Sequence, residues 1–320
     1  MSAEVITSIE RVKEIAPQWN ELWQRSPAAT PFQSPHWLLP WWRAFGSDSP
    51  YVIASSSNGR LDALAPLYIL RDDDSGESLG MFIGTGITDY CDILGDIDPL
   101  ADAITSADCM MWDLQQLRPS SPLLNMTLND GWSDNVEDQE PCPVLELDRD
   151  FDALLSTHSR KKLRYYRRCA ERLGAVRYES ATATTLDELL SSLFELHAAR
   201  WERRGLPGVL ADSTTQNFHR DVAQRMLDAG ALRMYAMRIG ETIRAIFYGF
   251  AHHNTVYYYL GGYDPDLEKL SIGNTIVAHG IEQACIDGAT TFDFLRGAEE
   301  YKYAWGAKDR MNRRRQLFRG

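Results

Sequence analysis

The feature that most constrains the fold is a run of closely spaced strand-like segments between residues 231 and 261. The segments are Ala231–Ile239, Thr242–Ala251 and Thr255–Gly261. Only the turn residues Gly240-Glu241 and His253-Asn254 separate them, so the segments are expected to pair as antiparallel neighbours. A helix is predicted over Gly273–Asp287 and a strand over Thr291–Leu295. The second half of the chain therefore contains a meander that continues through a helix into a further strand.

Helical patterns precede this meander. The predicted helices are Phe151–Gly174, Leu186–Arg204 and Thr215–Ala229. Apolar residues recur at helical spacing in the second of them, and a glycine closes the first. The predicted fold class is α+β, an α/β sandwich with a central mixed sheet flanked by helices.

The first half is predicted to open with a helix around Val12–Trp23, followed by a hairpin. Strands over Tyr51–Ser57 and Leu61–Leu70 flank Asn58-Gly59, a dipeptide typical of two-residue hairpin turns. Further predicted elements are strands at Leu79–Ile83, Tyr90–Leu94 and Val144–Leu147 and a helix near Pro99–Leu117. The acidic, proline-containing stretch Asp130–Pro143 precedes the last of these strands, and a domain boundary is expected near residue 150.

Length and charge both predict two domains. A chain of 320 residues exceeds the size at which one core usually stops growing. Residues 1–150 carry 8 Lys and Arg against 25 Asp and Glu, a net charge of −17, whereas residues 151–320 carry 25 against 20, or +5. We expect the positive half to receive an anionic ligand. The alternative is that the charge difference between the halves reflects solvated surface residues that bind no ligand.

Several classes of protein do not fit the sequence. No apolar run approaches the roughly 20 residues that span a bilayer, and the N-terminus does not resemble a signal peptide. The five cysteines are scattered without a CxxC pair, which argues against a zinc site or disulfide framework. A net charge of −12 argues against binding to duplex nucleic acid. We expect a cytoplasmic protein without a metal.

The loop before the helix at Gly273 is a candidate phosphate site. A helix start presents free N–H groups and the positive end of the helix dipole. The loop contains Lys269, which supplies charge, and Ser271, which can cap the helix or contact an oxygen. Gly273 permits close backbone approach. An ordinary capped helix is the alternative.

A second candidate site follows the last predicted strand, where the chain turns at Gly297. Ionisable groups and tyrosines crowd this turn, and sites in α/β proteins collect where strands end. Structural roles are the alternative: Asp293 can cap the turn or pair with Arg296, and Lys302 can pair with Glu299.

Residues 187–320 resemble the GNAT (N-acetyltransferase) fold. The matching pieces are Leu196–Trp201, Asn217–His219, Tyr258–Asp264, Ser271–Gly273 and Asp293–Gly297 with Tyr301-Lys302. More narrowly, the chain resembles the bacterial acetyltransferase family first linked with cellulose-biosynthesis operons, which is related to the Fem aminoacyltransferases. Pro35–Trp37 and Thr88–Asp92 resemble that family's degenerate first domain. The resemblance implies two tandem GNAT-like domains, an N-terminal degenerate one over 1–150 and an acyltransferase domain over 151–320.

The resemblance also implies an activity and site residues. A GNAT-type N-acyltransferase moves an acetyl or other acyl group from acyl-CoA to the amine of a small metabolite, sugar or amino acid. The implied donor-binding residues are Lys269, Ser271, Ile272, Gly273 and Asn274. Asp293 or Glu300 is the expected base and Tyr301 or Tyr263 the expected acid. The expected substrate contacts are Asp89, Tyr90, His197, Trp201, Tyr263, Arg296 and Lys302.

One departure from the GNAT pattern keeps other donors open. The usual phosphate loop reads Gln/Arg-x-x-Gly-x-Gly/Ala, but here Glu268 and Ser271 stand at the first two of those positions. A carboxylate facing a pyrophosphate repels it. The alternatives are an aminoacyl-tRNA donor, a carrier-protein thioester, or a non-catalytic accessory protein of polysaccharide biosynthesis. The basic runs 159–168 and 312–315 can bind tRNA, a CoA phosphate or the acidic first domain, and a solvated helix is the alternative for the first run.

Overall fold

A computed structural model of the chain describes residues 3–46, 49–72, 74–148 and 150–320. The helices are α1 (Ile9–Glu14), α2 (Ala16–Arg25), α3 (Pro35–Phe45), α4 (Asp98–Thr105), α5 (Phe151–Leu154), α6 (Thr157–Glu171), α7 (Leu186–Glu202), α8 (Ser213–Asp228), α9 (Ile272–Ile286) and α10 (Glu300–Tyr303). The strands are β1 (Ala3–Ile6), β2 (Pro50–Ser57), β3 (Arg60–Arg71), β4 (Ser78–Phe82), β5 (Met111–Leu117), β6 (Trp132–Glu146), β7 (Val176–Ser180), β8 (Leu232–Ile239), β9 (Thr242–His252), β10 (Thr255–Tyr263), β11 (Thr291–Asp293) and β12 (Lys308–Arg319).

The chain forms two compact units, which we call the first and the second. The first comprises Met1–Cys142 and Arg310–Gly320, and the second comprises Pro143–Asp309. The predicted division into domains 1–150 and 151–320 stays a prediction. Residues 310–320 belong to the first unit.

The sheet of the first unit has the strand order β1-β2-β3-β4-β5-β12-β6. Its strands β1 to β4 pair antiparallel, β4 and β5 pair parallel, and β12 is antiparallel to β5. The predicted hairpin is confirmed: Asn58 (φ +53°) and Gly59 (φ +77°) form the turn between β2 and β3. These positive angles are those that a two-residue hairpin turn requires.

Two sequence predictions in this unit are wrong. The helix predicted near Pro99–Leu117 ends at Thr105, and its second half is strand β5. Tyr90–Leu94 forms only an isolated bridge between Leu94 and Leu64. Asp130–Pro143, for which no element was predicted, is mostly strand β6. Its acidic side chains are tolerated in a sheet because arginines of β12 pair with them.

The basic run in β12 pairs with acidic residues of β5 and β6. Arg314 donates from Nε and Nη2 to both carboxylate oxygens of Asp113, at 2.6 and 2.9 Å. Arg315 donates from Nε to Asp134 at 2.7 Å, and Arg313 pairs with Asp138 at 2.7 Å. Of the alternatives for this run, contact with the acidic first half is the one that the structure shows.

The sheet of the second unit has the strand order β6-β11-β10-β9-β8-β7, with β10 and β11 as its parallel pair. The predicted meander is confirmed as β8, β9 and β10. Successive residues of a strand point to opposite faces. Phe247 of β9 lies against Gly280 of α9, and the next residue, Tyr248, contacts His219 of α8. Helices therefore cover both faces, as the predicted α/β sandwich requires.

The paired arginines of β12 give a matched test of what the basic run does. Arg315 is 4% exposed and also donates to the carbonyl oxygens of Leu123 and Met126, whereas the Arg313 side chain is 42% exposed. We expect Arg315→Met to lower the free energy of unfolding by about 3 kcal/mol, because it leaves these buried carbonyl oxygens without a hydrogen-bond donor. Arg313→Met should cost less than about 1 kcal/mol. Urea denaturation measures both, and equal losses would contradict this assignment.

Candidate functional site

The candidate site lies in the second unit, where two parallel strands part. β11 pairs with β10 from Thr291–Thr255 to Asp293–Tyr257, and then β11 ends while β10 continues to Tyr263. The register of β10 against β9 shifts between Tyr258 and Leu260, which marks a bulge. Beyond Tyr257, β10 therefore has no paired strand on its β11 side among the described residues.

A buried lysine holds the turn that follows β11. Lys302 is 3% exposed, and its Nζ lies 2.9 Å from Glu299 Oε2. Its other contacts are the carbonyl oxygens of Leu295, Arg296 and Gly297, at 3.2, 2.7 and 3.0 Å. An ammonium has three N–H donors, so these partners occupy all of them. These contacts show the structural alternative for Lys302, and its expected contact with substrate stays a prediction.

The backbone of this turn is unusual at two positions. Leu295 has φ +58° and Gly297 has φ +108°, in the left-handed region that favours glycine. Asp293 is 1% exposed, and its Oδ1 accepts a hydrogen bond from the Leu295 N–H at 2.9 Å. The structural alternative for Asp293, that it caps the turn, is what the contact shows. Its expected role as a base stays a prediction.

The start of α9 presents backbone donors. Its N-cap, Ser271, has φ +51° and makes no side-chain capping hydrogen bond, although Ser271 Oγ accepts from Asn274 Nδ2 at 3.1 Å. The N–H groups of the first turn of a helix have no acceptor within the helix. Ile272 has a fully buried side chain, so only its backbone is available. A Cβ at Gly273 would lie 2.8 Å from the Tyr263 ring, so glycine is needed for that close contact.

Two cavities meet at this helix start. The strand cavity, of about 220 Å³, is lined by Arg200, Tyr258, Tyr263, Glu268, Gly273 and Val277. The basic cavity, of about 240 Å³, is lined by Leu155, His158, Ser159, Lys162, Leu163, Tyr166, Ala304 and Trp305. Ser271, Asn274 and Tyr301 line both. The cavities thus share one wall, formed by the start of α9 and the Tyr301 ring.

Buried tyrosines supply hydrogen-bond donors there. Burial raises the pKa of Tyr258 to about 12, and burial also raises the pKa of Tyr301. Both phenols therefore stay protonated at neutral pH and can donate a hydrogen bond to an oxygen or sulfur that gains negative charge.

Charged groups line the strand cavity as well. The Arg200 guanidinium lies 5.1 Å from the centre of the Tyr263 ring, and Arg200 Nε is buried without a hydrogen-bond partner. The Tyr263 hydroxyl donates to Glu268 Oε1 at 3.4 Å. The cavity thus offers a cation, a carboxylate and phenol donors in one place.

The structure brings together some of the predicted site residues. Ser271, Gly273, Asn274, Tyr263 and Tyr301 line the cavities. Lys269 and Glu300 are exposed, and Arg296 is half-buried; none of these three lines either cavity. Their expected roles stay predictions.

His197 and Trp201 contact each other. Trp201 Nε1 donates to His197 Nε2 at 2.9 Å, and His197 is 3% exposed. Burial lowers the pKa of His197 to about 4, so the imidazole is neutral at physiological pH. Neither side chain lines either cavity, and the contact is that of a buried structural histidine.

Asp89 and Tyr90 are buried within the first unit. The Asp89 carbonyl oxygen accepts from Asn312 Nδ2 at 3.0 Å, and the Tyr90 carbonyl oxygen accepts from Gln33 Nε2 at 2.7 Å. The Tyr90 side chain is fully buried and packs against Phe32. This burial differs from the substrate contact expected of Tyr90.

Sequence reasoning missed other cavity residues. Arg200 and Tyr258 lie inside motifs that carried the family resemblance, yet neither was singled out. His158, Lys162 and Tyr166 recur every four residues on α6, and this spacing places them on one face. The sequence shows this periodicity, but it does not show which other elements that face of α6 contacts.

Two kinds of feature are missing from the part of the chain that the structure describes. No group of three or more His, Cys, Asp and Glu side chains is placed to hold a metal ion there. No helix within the described ranges has the length and apolar character needed to cross a membrane.

Comparison by sequence identifies a known domain in the second unit. Residues 157–303 match the family model Acetyltransf_6, an acetyltransferase (GNAT) domain. No curated protein matches the chain. The second unit thus carries a GNAT-type domain, which supports an N-acyltransferase.

Comparison by structure finds the same architecture across the whole chain. The crystal structure of FemX matches with a TM-score of 0.71 and 11% identity, over 98% of this chain and 97% of that one. The C-terminal domain of a putative lysylphosphatidylglycerol synthetase from Agrobacterium fabrum matches with a TM-score of 0.61 and 11% identity, over 96% and 92%. At such identities the likeness shows the fold alone.

The buried lysine of the turn gives a stability prediction. Lys302→Met would leave the three carbonyl oxygens unpaired, so we expect a loss of about 3 kcal/mol in the free energy of unfolding. Lys269→Met, at an exposed lysine, should change it by less than about 0.5 kcal/mol. Chemical denaturation of both variants checks this. A Lys302→Met protein as stable as the wild type would show that the ammonium does not hold the turn.

The buried histidine gives a pH prediction. The pKa of His197 is about 4 in the folded chain, whereas a histidine of the unfolded chain titrates near 6.5. As pH falls through this window the unfolded state binds a proton that the folded state does not, so stability falls. We expect His197→Gln to flatten the decline between pH 6.5 and 4, measured by urea midpoints at several pH values. An unchanged slope would contradict the neutral buried imidazole.

Proposed function

We propose that the second unit transfers an acyl group from an acyl-CoA thioester to the amine of a small metabolite, sugar or amino acid. The observation that carries the proposal is the meeting of two cavities at the start of α9, beside the parted strands β10 and β11. The match of residues 157–303 to a GNAT acetyltransferase domain supports it.

The donor would lie along the shared wall. The free N–H groups at the start of α9 attract phosphate through hydrogen bonds and the helix dipole. Lys162 and Ser159 line the adjoining basic cavity and add charge and a hydroxyl. The amides of a pantetheine arm can pair with the unpaired side of β10 beyond Tyr257, as an added strand would. With the donor bound in this way, we expect its thioester to lie near Tyr258 and Tyr301.

The chemistry requires a base, an oxyanion donor and an acid. The amine nitrogen attacks the thioester carbon, so that a C–N bond forms and the C–S bond breaks. The protonated hydroxyls of Tyr258 and Tyr301 are the donors placed to stabilise the oxyanion and the leaving sulfur. Glu268 is the carboxylate lining the strand cavity, and it can take the proton of the amine. Asp293 and Glu300 remain candidates for the same role.

A second candidate function follows from the position of Glu268. Its carboxylate lines the strand cavity beside Gly273, where it would repel a pyrophosphate. An aminoacyl-tRNA or carrier-protein donor avoids this repulsion. If no donor binds, the remaining alternative is an accessory protein without catalytic activity. A cytoplasmic location and a link with cellulose or other polysaccharide biosynthesis belong to the same proposal and rest on the sequence alone.

Direct binding tests the donor. We expect titration calorimetry to find micromolar binding of CoA and acetyl-CoA, corresponding to about −8 kcal/mol. Gly273→Glu should abolish it, because the new side chain would meet the Tyr263 ring and add negative charge at the helix start. Lys13→Gln, which also lowers the net charge by one unit and lies at an exposed helix residue of the first unit, is the control. No binding by the wild type would contradict a free CoA donor.

Removal of one hydroxyl tests the chemistry. Tyr301→Phe keeps the ring and its packing but removes the donor that both cavities share. We expect kcat to fall at least about tenfold with KM nearly unchanged, because the lost hydrogen bond acts in the transition state. Steady-state kinetics with acetyl-CoA and a responsive amine measure it, beside Asp293→Asn and Glu300→Gln. If only Asp293→Asn or Glu300→Gln lowers kcat, the role given to Tyr301 is wrong.

A further inference from the structure

The helix α6 carries more positive charge than its surroundings neutralise. Seven Lys and Arg residues lie between positions 160 and 172. Three are paired within the second unit: Arg160 and Arg164 with Asp152, and Arg167 with Glu282. The other four form no ion pair within the described ranges: Lys161, Lys162, Arg168 and Arg172. On a chain with a net charge of −12, this helix is a local positive surface.

Three of the four unpaired cations share a face with exposed apolar groups. Lys161, Tyr165, Arg168 and Arg172 recur every three or four residues, so they lie along one side of α6. The Tyr165 ring is 59% exposed, and Leu173, just beyond the helix, is 55% exposed. Exposed aromatic and apolar side chains ringed by cations are typical of a surface that receives an acidic protein partner. We call this set of residues the α6 face.

The α6 face adjoins the candidate site. His158, Lys162 and Tyr166 form the neighbouring row of the same helix and line the basic cavity. Tyr301 lines that cavity and also lines the strand cavity. A partner bound on the α6 face can thus reach the tyrosine donors through the basic cavity.

We propose that the α6 face docks an acidic carrier protein, which presents the acyl thioester on a phosphopantetheine arm. The inference rests on the second candidate function, acyl transfer from a carrier-protein donor, and names the surface that receives that donor. The arm enters the basic cavity and brings the thioester to Tyr301. The amine forms the new C–N bond, the C–S bond to the arm breaks, and the proton lost by the amine leaves with the carrier as its free thiol.

The charges favour this partner over free CoA and over RNA. A phosphopantetheine arm carries one phosphodiester, whereas CoA carries a pyrophosphate and a further phosphate near the carboxylate of Glu268. A long RNA backbone would be repelled by the net charge of −12, and phosphates would leave Tyr165 and Leu173 uncovered. A folded carrier can pair acidic side chains with the cations of the α6 face and cover Tyr165 and Leu173 with apolar ones.

Binding measurements on charge variants test the docking. The probe is a fluorescently labelled acetyl carrier protein from a dissociated fatty-acid synthase, followed by anisotropy, with acetyl-CoA titrated separately. We expect Lys161→Glu/Arg168→Glu to weaken carrier binding at least about tenfold, and higher salt to weaken wild-type binding. Lys13→Glu/Lys308→Glu, the same charge change at exposed lysines outside α6, should leave it within about twofold. Acetyl-CoA binding should not change in either variant.

The following outcomes would contradict the docking, and they differ in whether the proposed acyl transfer fails as well. If acetyl-CoA binds but the carrier does not, or if both double variants weaken the carrier equally, the docking is wrong and the acyl transfer stands. If neither binds, both are wrong. If an acceptor-stem RNA binds more tightly than the carrier and depends on Lys161 and Arg168, the α6 face serves RNA instead.

Discussion

The candidate site depends on the parting of β10 and β11. A parallel pair that stayed in register past Tyr257–Asp293 would close the space in which Tyr258 and Tyr301 now line a cavity. The parting persists because the chain after β11 is fixed elsewhere: Lys302 binds three successive carbonyl oxygens of the turn. Buried carbonyls need such partners, and a charged donor gives each bond extra strength. A lysine that resembles a substrate ligand in sequence is thus a condition for the site.

The same region shows how packing and chemistry share residues. Gly273 lets the Tyr263 ring approach the start of α9, and the ring in turn supports Arg200 at the cavity wall. Burial keeps Tyr258 and Tyr301 protonated, so the groups that fill the space between the strands are also the donors. The α6 helix contributes one row of residues to the basic cavity and a second row to the surrounding surface. One helix can therefore link partner recognition to the reacting centre.

How far the sequence predicts this structure differs between its halves. Short turns and apolar runs were sufficient for the meander, for α7, α8 and α9, and for the Asn58-Gly59 hairpin, because each signal is local. The strands β5 and β12 and the acidic part of β6 were missed because tertiary partners stabilise them: acidic β6 forms with the arginines of β12, far along the chain. For the site, residue types at the Gly297 turn were informative, but burial decided their roles. It placed Tyr301 in the cavities and Lys302 under the turn, which no spacing rule distinguishes.

The central claim is that the start of α9 and the parted strands hold the thioester donor. Hydrogen–deuterium exchange with and without a non-hydrolysable acetyl-CoA analogue tests it most directly, because it reports on backbone amides by position. The account predicts slower exchange in peptides covering residues 258–263 and 271–277, with little change in peptides of β2 and β3. Unchanged exchange in both site peptides under saturating analogue, or protection confined to other parts of the chain, would contradict it.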